Sequence, residues 1–257
     1  MTTYTTNQLL TGTMTYELLA DDILDVAGAE ALTWDGIDSA ITVVNNGEIT
    51  DSADRALDSE ATSTGTLLFT NMAGAFVGAE MRFKDLGLGA TITIDNSGTM
   101  NGNGGNALEM SVEGATFIVT NQATGVMTNN DAGSDVINNA SNLTLHNYGK
   151  IISKADTYDN NGDPVQTGGK AVDLGEGTNN SIHNYAGGVI AGSEHGITGD
   201  IGATIVNDAG GRIVGRNGAG LNFDNDTLST LTVTNHGVIL GESLTYADSD
   251  GDAIDAD

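Results

Sequence analysis

One short segment recurs along the chain and restricts the possible folds more than any other feature. Ile41-Thr42-Val43-Val44-Asn45-Asn46-Gly47-Glu48-Ile49 returns as Ile92-Thr93-Ile94-Asp95-Asn96-Ser97-Gly98-Thr99-Met100. It returns again as Leu143-Thr144-Leu145-His146-Asn147-Tyr148-Gly149-Lys150-Ile151 and as Leu231-Thr232-Val233-Thr234-Asn235-His236-Gly237-Val238-Ile239. Looser copies surround Asn71, Asn121, Asn184 and Asn207, some with two additional residues before the glycine. The eight anchor asparagines (Asn45, Asn71, Asn96, Asn121, Asn147, Asn184, Asn207 and Asn235) are spaced by 26, 25, 25, 26, 37, 23 and 28 residues. A period of about 27 residues suits one turn of a three-sided parallel solenoid. The longest interval holds an insertion around Asp156 to Gly169.

Parity within the repeat assigns the side chains to two sides. Ile92, Ile94 and Asn96 are two apart and point the same way in a strand, into the coil. A buried amide is costly unless its donors and acceptor are satisfied. Stacked about 4.8 Å from its counterpart on the next coil, each asparagine can bond the next and form a ladder. The glycine that follows is expected to supply a positive φ at the corner. A second strand follows most corners: Arg55-Ala56-Leu57-Asp58, Asn106-Ala107-Leu108-Glu109-Met110, Lys170-Ala171-Val172-Asp173-Leu174 and Gly220-Leu221-Asn222-Phe223. Each alternates apolar with polar residues, as a half-buried strand does. The expected fold is all-β, a right-handed single-stranded parallel β-helix of about eight to nine coils over residues 39–257. Residues 1–38 lack the repeat and carry an apolar patch at Tyr16, Leu18, Leu19, Ile23, Leu24 and Val26. They are expected to form an N-terminal cap or a first irregular coil, because an open solenoid end exposes strand edges.

Composition narrows the partners. Lys and Arg number 8 against 35 Asp and Glu, a net charge of −27. Nucleic acid needs clustered basic residues, and an anionic membrane surface attracts them, so both are disfavoured. Cations are the natural electrostatic partners. Cysteine is absent, so neither disulfides nor thiolate metal sites hold the fold. No apolar run is long enough for a membrane span. Met1-Thr2-Thr3-Tyr4-Thr5-Thr6 has neither the basic start nor the apolar core of a conventional N-terminal signal peptide.

The repeat Leu231-Thr232-Val233-Thr234-Asn235-His236-Gly237-Val238-Ile239, with Gly251-Asp252-Ala253-Ile254-Asp255 at its companion strand, resembles bacterial secreted β-strand-repeat proteins. Autotransporter passenger domains share this style, as do the solenoid regions of type I secreted, RTX-associated surface proteins. The resemblance covers about residues 40–257 and speaks to fold more than to activity. It implies an extracellular or cell-surface location; type I secretion would account for a start without a signal peptide, since that route reads a C-terminal signal. Members of such families include adhesins, surface-layer and matrix components, and polysaccharide-active enzymes.

Three groups of residues are candidates for chemistry. Asp248, Asp250, Asp252 and Asp255 alternate around Gly251 and could converge hard oxygens on Ca2+, the candidate cofactor, solvated acidic turns being the simpler reading. Asp159, Asn161 and Asp163 in the insertion offer a weaker version. His146 with Tyr148, and His183 with Tyr185, hold equivalent places on neighbouring coils and form a candidate glycan-contact strip, ordinary cross-strand pairing being the simpler reading. Thr42, Thr93, Thr144, Thr204 and Thr232 share one outward position, which β-propensity accounts for. The basic residues sit in no acidic–basic sequence motif, and no nucleophile elbow, phosphate loop or zinc motif is present. The expected function is therefore a non-enzymatic extracellular structural or adhesive surface protein, a surface-layer, matrix or adhesin component assembling with calcium. The alternative is a calcium-dependent polysaccharide lyase, epimerase or hydrolase. Gly251-Asp252-Ala253-Ile254-Asp255 matches Gly169-Lys170-Ala171-Val172-Asp173, so a new coil is expected to start there and the protein to continue or stack. The expected partners are a second copy stacking end to end and a cell-surface glycan.

Overall fold

A computed structural model describes the chain except residues 52–54, 61–62, 85, 111–113, 132, 140–141, 155–167, 176–177, 201, 224–229, 244–250 and 257, and the side chain at 139. The described residues form a parallel β-solenoid of three sheets with no helix. The chain visits the sheets in a fixed order. Gly65–Asn71 lies in a nine-stranded first sheet, Phe76–Val77 in a ten-stranded second, and Glu80–Arg82 in a ten-stranded third. Thr91–Asn96 then returns to the first sheet, one coil further on. The insertion expected near 156–169 falls largely outside the described residues.

Alternation in the sequence becomes alternation in burial. Thr91–Asn96 is half-buried and buried by turns, with Ile92, Ile94 and Asn96 inside. Parallel pairing keeps the register from coil to coil, so like residues stack. Val43, Phe69, Ile94, Val119, Leu145, Ile182 and Ile205 form one such interior column, every member buried. Burying a Val, Leu, Ile or Phe side chain contributes about 1.5–3 kcal/mol, and the columns extend that gain along one continuous core. Trp34, fully buried, donates its Nε1–H to Ser39 Oγ at 2.7 Å, which satisfies its polar edge.

Strands within residues 1–38 pair in parallel with the strands that follow them. Thr3–Tyr4 pairs with Ile23–Asp25, Gln8–Leu10 with Leu32–Trp34, and Thr13–Leu18 with Ser39–Asn45, all parallel. Leu18 occupies the ladder position below Asn45.

The corner glycines have a different cause from the one expected. Gly47, Gly98, Gly149 and Gly237 do not adopt a positive φ. A Cβ on Gly98 would instead collide with the carbonyl oxygens of Ala75 and Met72 on the preceding coil. Ala75 O is already committed to the Thr99 amide at 3.0 Å, so it cannot retreat cheaply. Positive φ is used at the longer corners, where Gly74, Gly187 and Gly210 take it up.

Candidate functional site

The eight anchor asparagines form a continuous chain of side-chain bonds. Asn45 Nδ2 donates to Asn71 Oδ1 at 2.9 Å, Asn71 to Asn96 at 2.8 Å, and Asn96 to Asn121 at 2.8 Å. Asn121 donates to Asn147 at 2.9 Å, and the series runs on through Asn184, Asn207 and Asn235, at 2.8 Å each time. Each of the first seven amides also donates to a main-chain carbonyl, Phe76 O for Asn45 and Lys150 O for Asn121. Asn45 to Asn207 are fully buried, whereas Asn235 is exposed. The ladder is architectural: its polar atoms are consumed in holding register.

Outside the same corner, two coils bring four rings together. His146 pairs with His183 across the first sheet. The Tyr185 ring stacks on His183 with centroids 3.7 Å apart and on Tyr148 at 4.0 Å, the planes within 17° and 11°. Two rings that close and that parallel cannot share one face of Tyr185, so Tyr185 lies between them. His146 Nδ1 sits 3.2 Å from the Tyr185 hydroxyl. His183 Nε2 lies 3.1 Å from Asp208 Oδ2, at ion-pair distance but without hydrogen-bond geometry. A hydrogen bond with Tyr148, followed by burial, pushes the Tyr185 hydroxyl up to about 12, so it keeps its proton at any physiological pH. Tyr148 is 37% exposed. Gln122, one coil below, is tied to Asp95 at 2.7 Å. The strip thus offers an aromatic surface rimmed by amide, imidazole and carboxylate groups.

The third sheet carries a charged cluster that no sequence motif announces. Asp58, Arg82 and Glu109 follow one another in its outward column. Arg82 forms an ion pair with Asp58, Arg55 with Glu80 at 3.3 Å, and Lys84 with Glu109 at 2.6 Å. Burial, then the charge of Glu109, raises Glu80 above the usual carboxylate range, and Arg55 opposes the shift. The hydrogen bond to Asp58 raises Arg82 further.

Beside this column, side chains accept main-chain amides of the next coil. Asn106 Oδ1 accepts from Asp135 N at 2.9 Å, and Asp135 Oδ1 from Lys170 N at 2.8 Å. His195 Nδ1 accepts from Ala219 N at 2.9 Å. Asp135 is only 7% exposed. Burial pushes its carboxyl up to about 7, against the lowering effects of the Lys170 amide and charge, while Asp173 and Glu194 push the same way as burial.

The metal candidates divide differently. Asp248, Asp250, Asp159, Asn161 and Asp163 lie outside the described residues. Asp252 and Asp255 belong to the last winding of the third sheet, where Gly220 N donates to Asp252 O at 3.0 Å and Asp255 pairs with Asn222. Among the described residues no three His, Asp or Glu side chains converge as cation ligands. The outward threonine column is present but interrupted by Leu68, Ile118 and Ser181. No described helix is long and apolar enough to cross a membrane.

No protein-family model matches this chain, and no curated protein and no solved structure matches it either. What the fold itself defines is a class, the three-sheet parallel β-solenoids.

Proposed function

We propose that the chain is a non-enzymatic structural or adhesive component of an extracellular bacterial surface, in a surface layer, a matrix or an adhesin. The observation that carries this reading is the contrast between its two sides. Inside, the coils from Asn45 to Asn235 repeat the same amide and apolar columns; outside, the stacked His183, Tyr185 and Tyr148 rings occur on two coils only. A rigid rod with a local aromatic strip is suited to contacting other molecules, because tyrosine offers apolar area at low entropy cost along with a polar tip. The sequence resemblance to autotransporter passengers and type I secreted surface proteins supports the extracellular location. A net charge of −27 favours Ca2+ as the ion that screens and bridges copies.

A second reading, a polysaccharide lyase, epimerase or hydrolase, draws on one observation. Glu80 and Glu109 lie together beside Arg82 and Lys84 on the third sheet, and paired carboxyls with basic neighbours are the raw material of acid–base chemistry.

One experiment addresses both readings: glycan-array binding of the chain and of Tyr148→Ala, with Ca2+ and then with chelator, followed by product analysis. The first reading expects binding that falls at least tenfold in Tyr148→Ala, is strengthened by Ca2+, and leaves the glycans intact. Binding unchanged by the substitution would remove the strip, and cleaved or epimerised glycan would favour the enzyme.

A further inference from the structure

Unequal corners between the second and third sheets open a groove on the outside of the solenoid. The link is four residues, 51–54, after Glu48–Thr50, and five, 103–107, after Thr99–Gly102. In the winding between them it is only Gly78 and Ala79. The short corner recedes beside the longer 103–107 corner, and the space there is about 310 Å³. Register sets Gly78 in the outward column between Thr50 and Asn101. The Phe76 ring lies over it: a Cβ on Gly78 would come within 2.5 Å of Phe76 Cε1 and 2.9 Å of Thr50 Cγ2.

The lining combines that ring with Asp25, Asp51, Asn101, Asn103 and Asn130. Asp51 is buried while Asp25 is exposed. Asn101 Oδ1 is enclosed and has no hydrogen-bond partner among the described residues. Buried acceptors of this kind are normally satisfied, and a hydroxyl entering the groove would supply the donor. Planar amides both donate and accept, as vicinal hydroxyls require, and an aromatic ring covers an apolar C–H face. Two carboxylates in the same space repel an acidic ligand. The volume stands at the small end of ligand pockets, which run from about 300 to 1,000 Å³.

We propose that this groove binds one pyranose unit of a glycan that carries no acidic group, with Phe76 against the ring and Asn101, Asn103 and Asn130 on its hydroxyls. The inference shares only its class of ligand with the adhesive reading above. The groove and the Tyr148 strip lie at different corners of the coil, so either can fail without the other.

The test is saturation-transfer NMR on the full chain with methyl glycosides of neutral hexoses, in chelator, with a methyl glucuronide as the acidic arm. The expected result is transfer to a neutral glycoside, none to the glucuronide, and at least a tenfold loss of affinity in Phe76→Ala and Asn101→Ala. Tyr148→Ala is expected to leave this binding unchanged. Phe76 is only half-buried and Asn101 sits on the outside, so circular dichroism of both variants is expected to match the parent; if one misfolds, the other decides. Absence of transfer to any neutral glycoside, retention in the folded variants, or equal binding of the glucuronide would each overturn the proposal. So would Ca2+ binding alone in the groove and displacing the sugar.

Discussion

Asn121→Ala is expected to cost about 3–5 kcal/mol. Asn121 receives Asn96 Nδ2 at 2.8 Å and donates to Asn147 Oδ1 at 2.9 Å and Lys150 O at 3.2 Å. Alanine removes all three bonds in an interior that water does not reach. Asn96 would keep only a 3.5 Å contact with Val126 O, and an unmet buried polar group costs about 1–3 kcal/mol. Asn235→Ala provides the contrast. That side chain is exposed, water can replace the lost partner, and the expected cost is below about 1 kcal/mol. Because solenoids unfold by neighbouring units and not always as one, the measurement is amide hydrogen exchange at the corners, with guanidinium midpoints alongside. Equal effects of the two substitutions would mean that the ladder is not a source of stability.

Asp135→Asn is expected to stabilise the protein above pH 7 by about 2–4 kcal/mol and to leave it unchanged below about pH 4. The folded carboxyl titrates at about 7, well above its ordinary 3.8, chiefly because it is buried. Between those values the folded state holds a proton that the unfolded state has released. Stability therefore falls as pH rises through that window, and above it the folded chain carries a buried charge. The amide keeps an oxygen for the Lys170 N–H, bonded at 2.8 Å in the parent, but has no charge to bury. Thermal melts from pH 3 to 9 check this. The carboxylates of a chain at −27 impose their own pH slope, so only the difference between parent and variant isolates Asp135. A difference that does not vary with pH would contradict the assignment.

How much of this was legible before folding depends on register. Where corners keep their length, residue spacing alone determines facing: Arg55 and Asn106 each follow their asparagine by 10 residues, and Asp58 and Glu109 by 13. Glu80 and Arg82 belong to the same columns but escape the pattern. Their corner has only two residues, and the pairing shifts between Glu80 and Met81, so counting from the preceding asparagine misplaces them. The same short corner makes the groove, which is invisible in any single repeat because it is a difference between neighbouring windings. Residues 1–38 lack the Asn and Gly marks, yet Thr13–Leu18 alternates as strictly as the rest. With Leu18 in place of an asparagine, the pairing is recognisable only once Ser39–Asn45 lies on it.

The linear order of residues determined the period, the inward direction of Ile, Val, Leu and Asn, and the equivalence of His146 with His183 and of Tyr148 with Tyr185. Those follow from a two-residue strand repeat that every coil obeys. Only the stacked structure decided that Tyr185 sits between His183 and Tyr148, that a carboxyl at Asp135 is enclosed, and that the corner glycines answer to carbonyls of the coil beneath. Such features depend on distances between windings some 25 residues apart, where a change of one or two residues in a corner moves a side chain by a full contact distance.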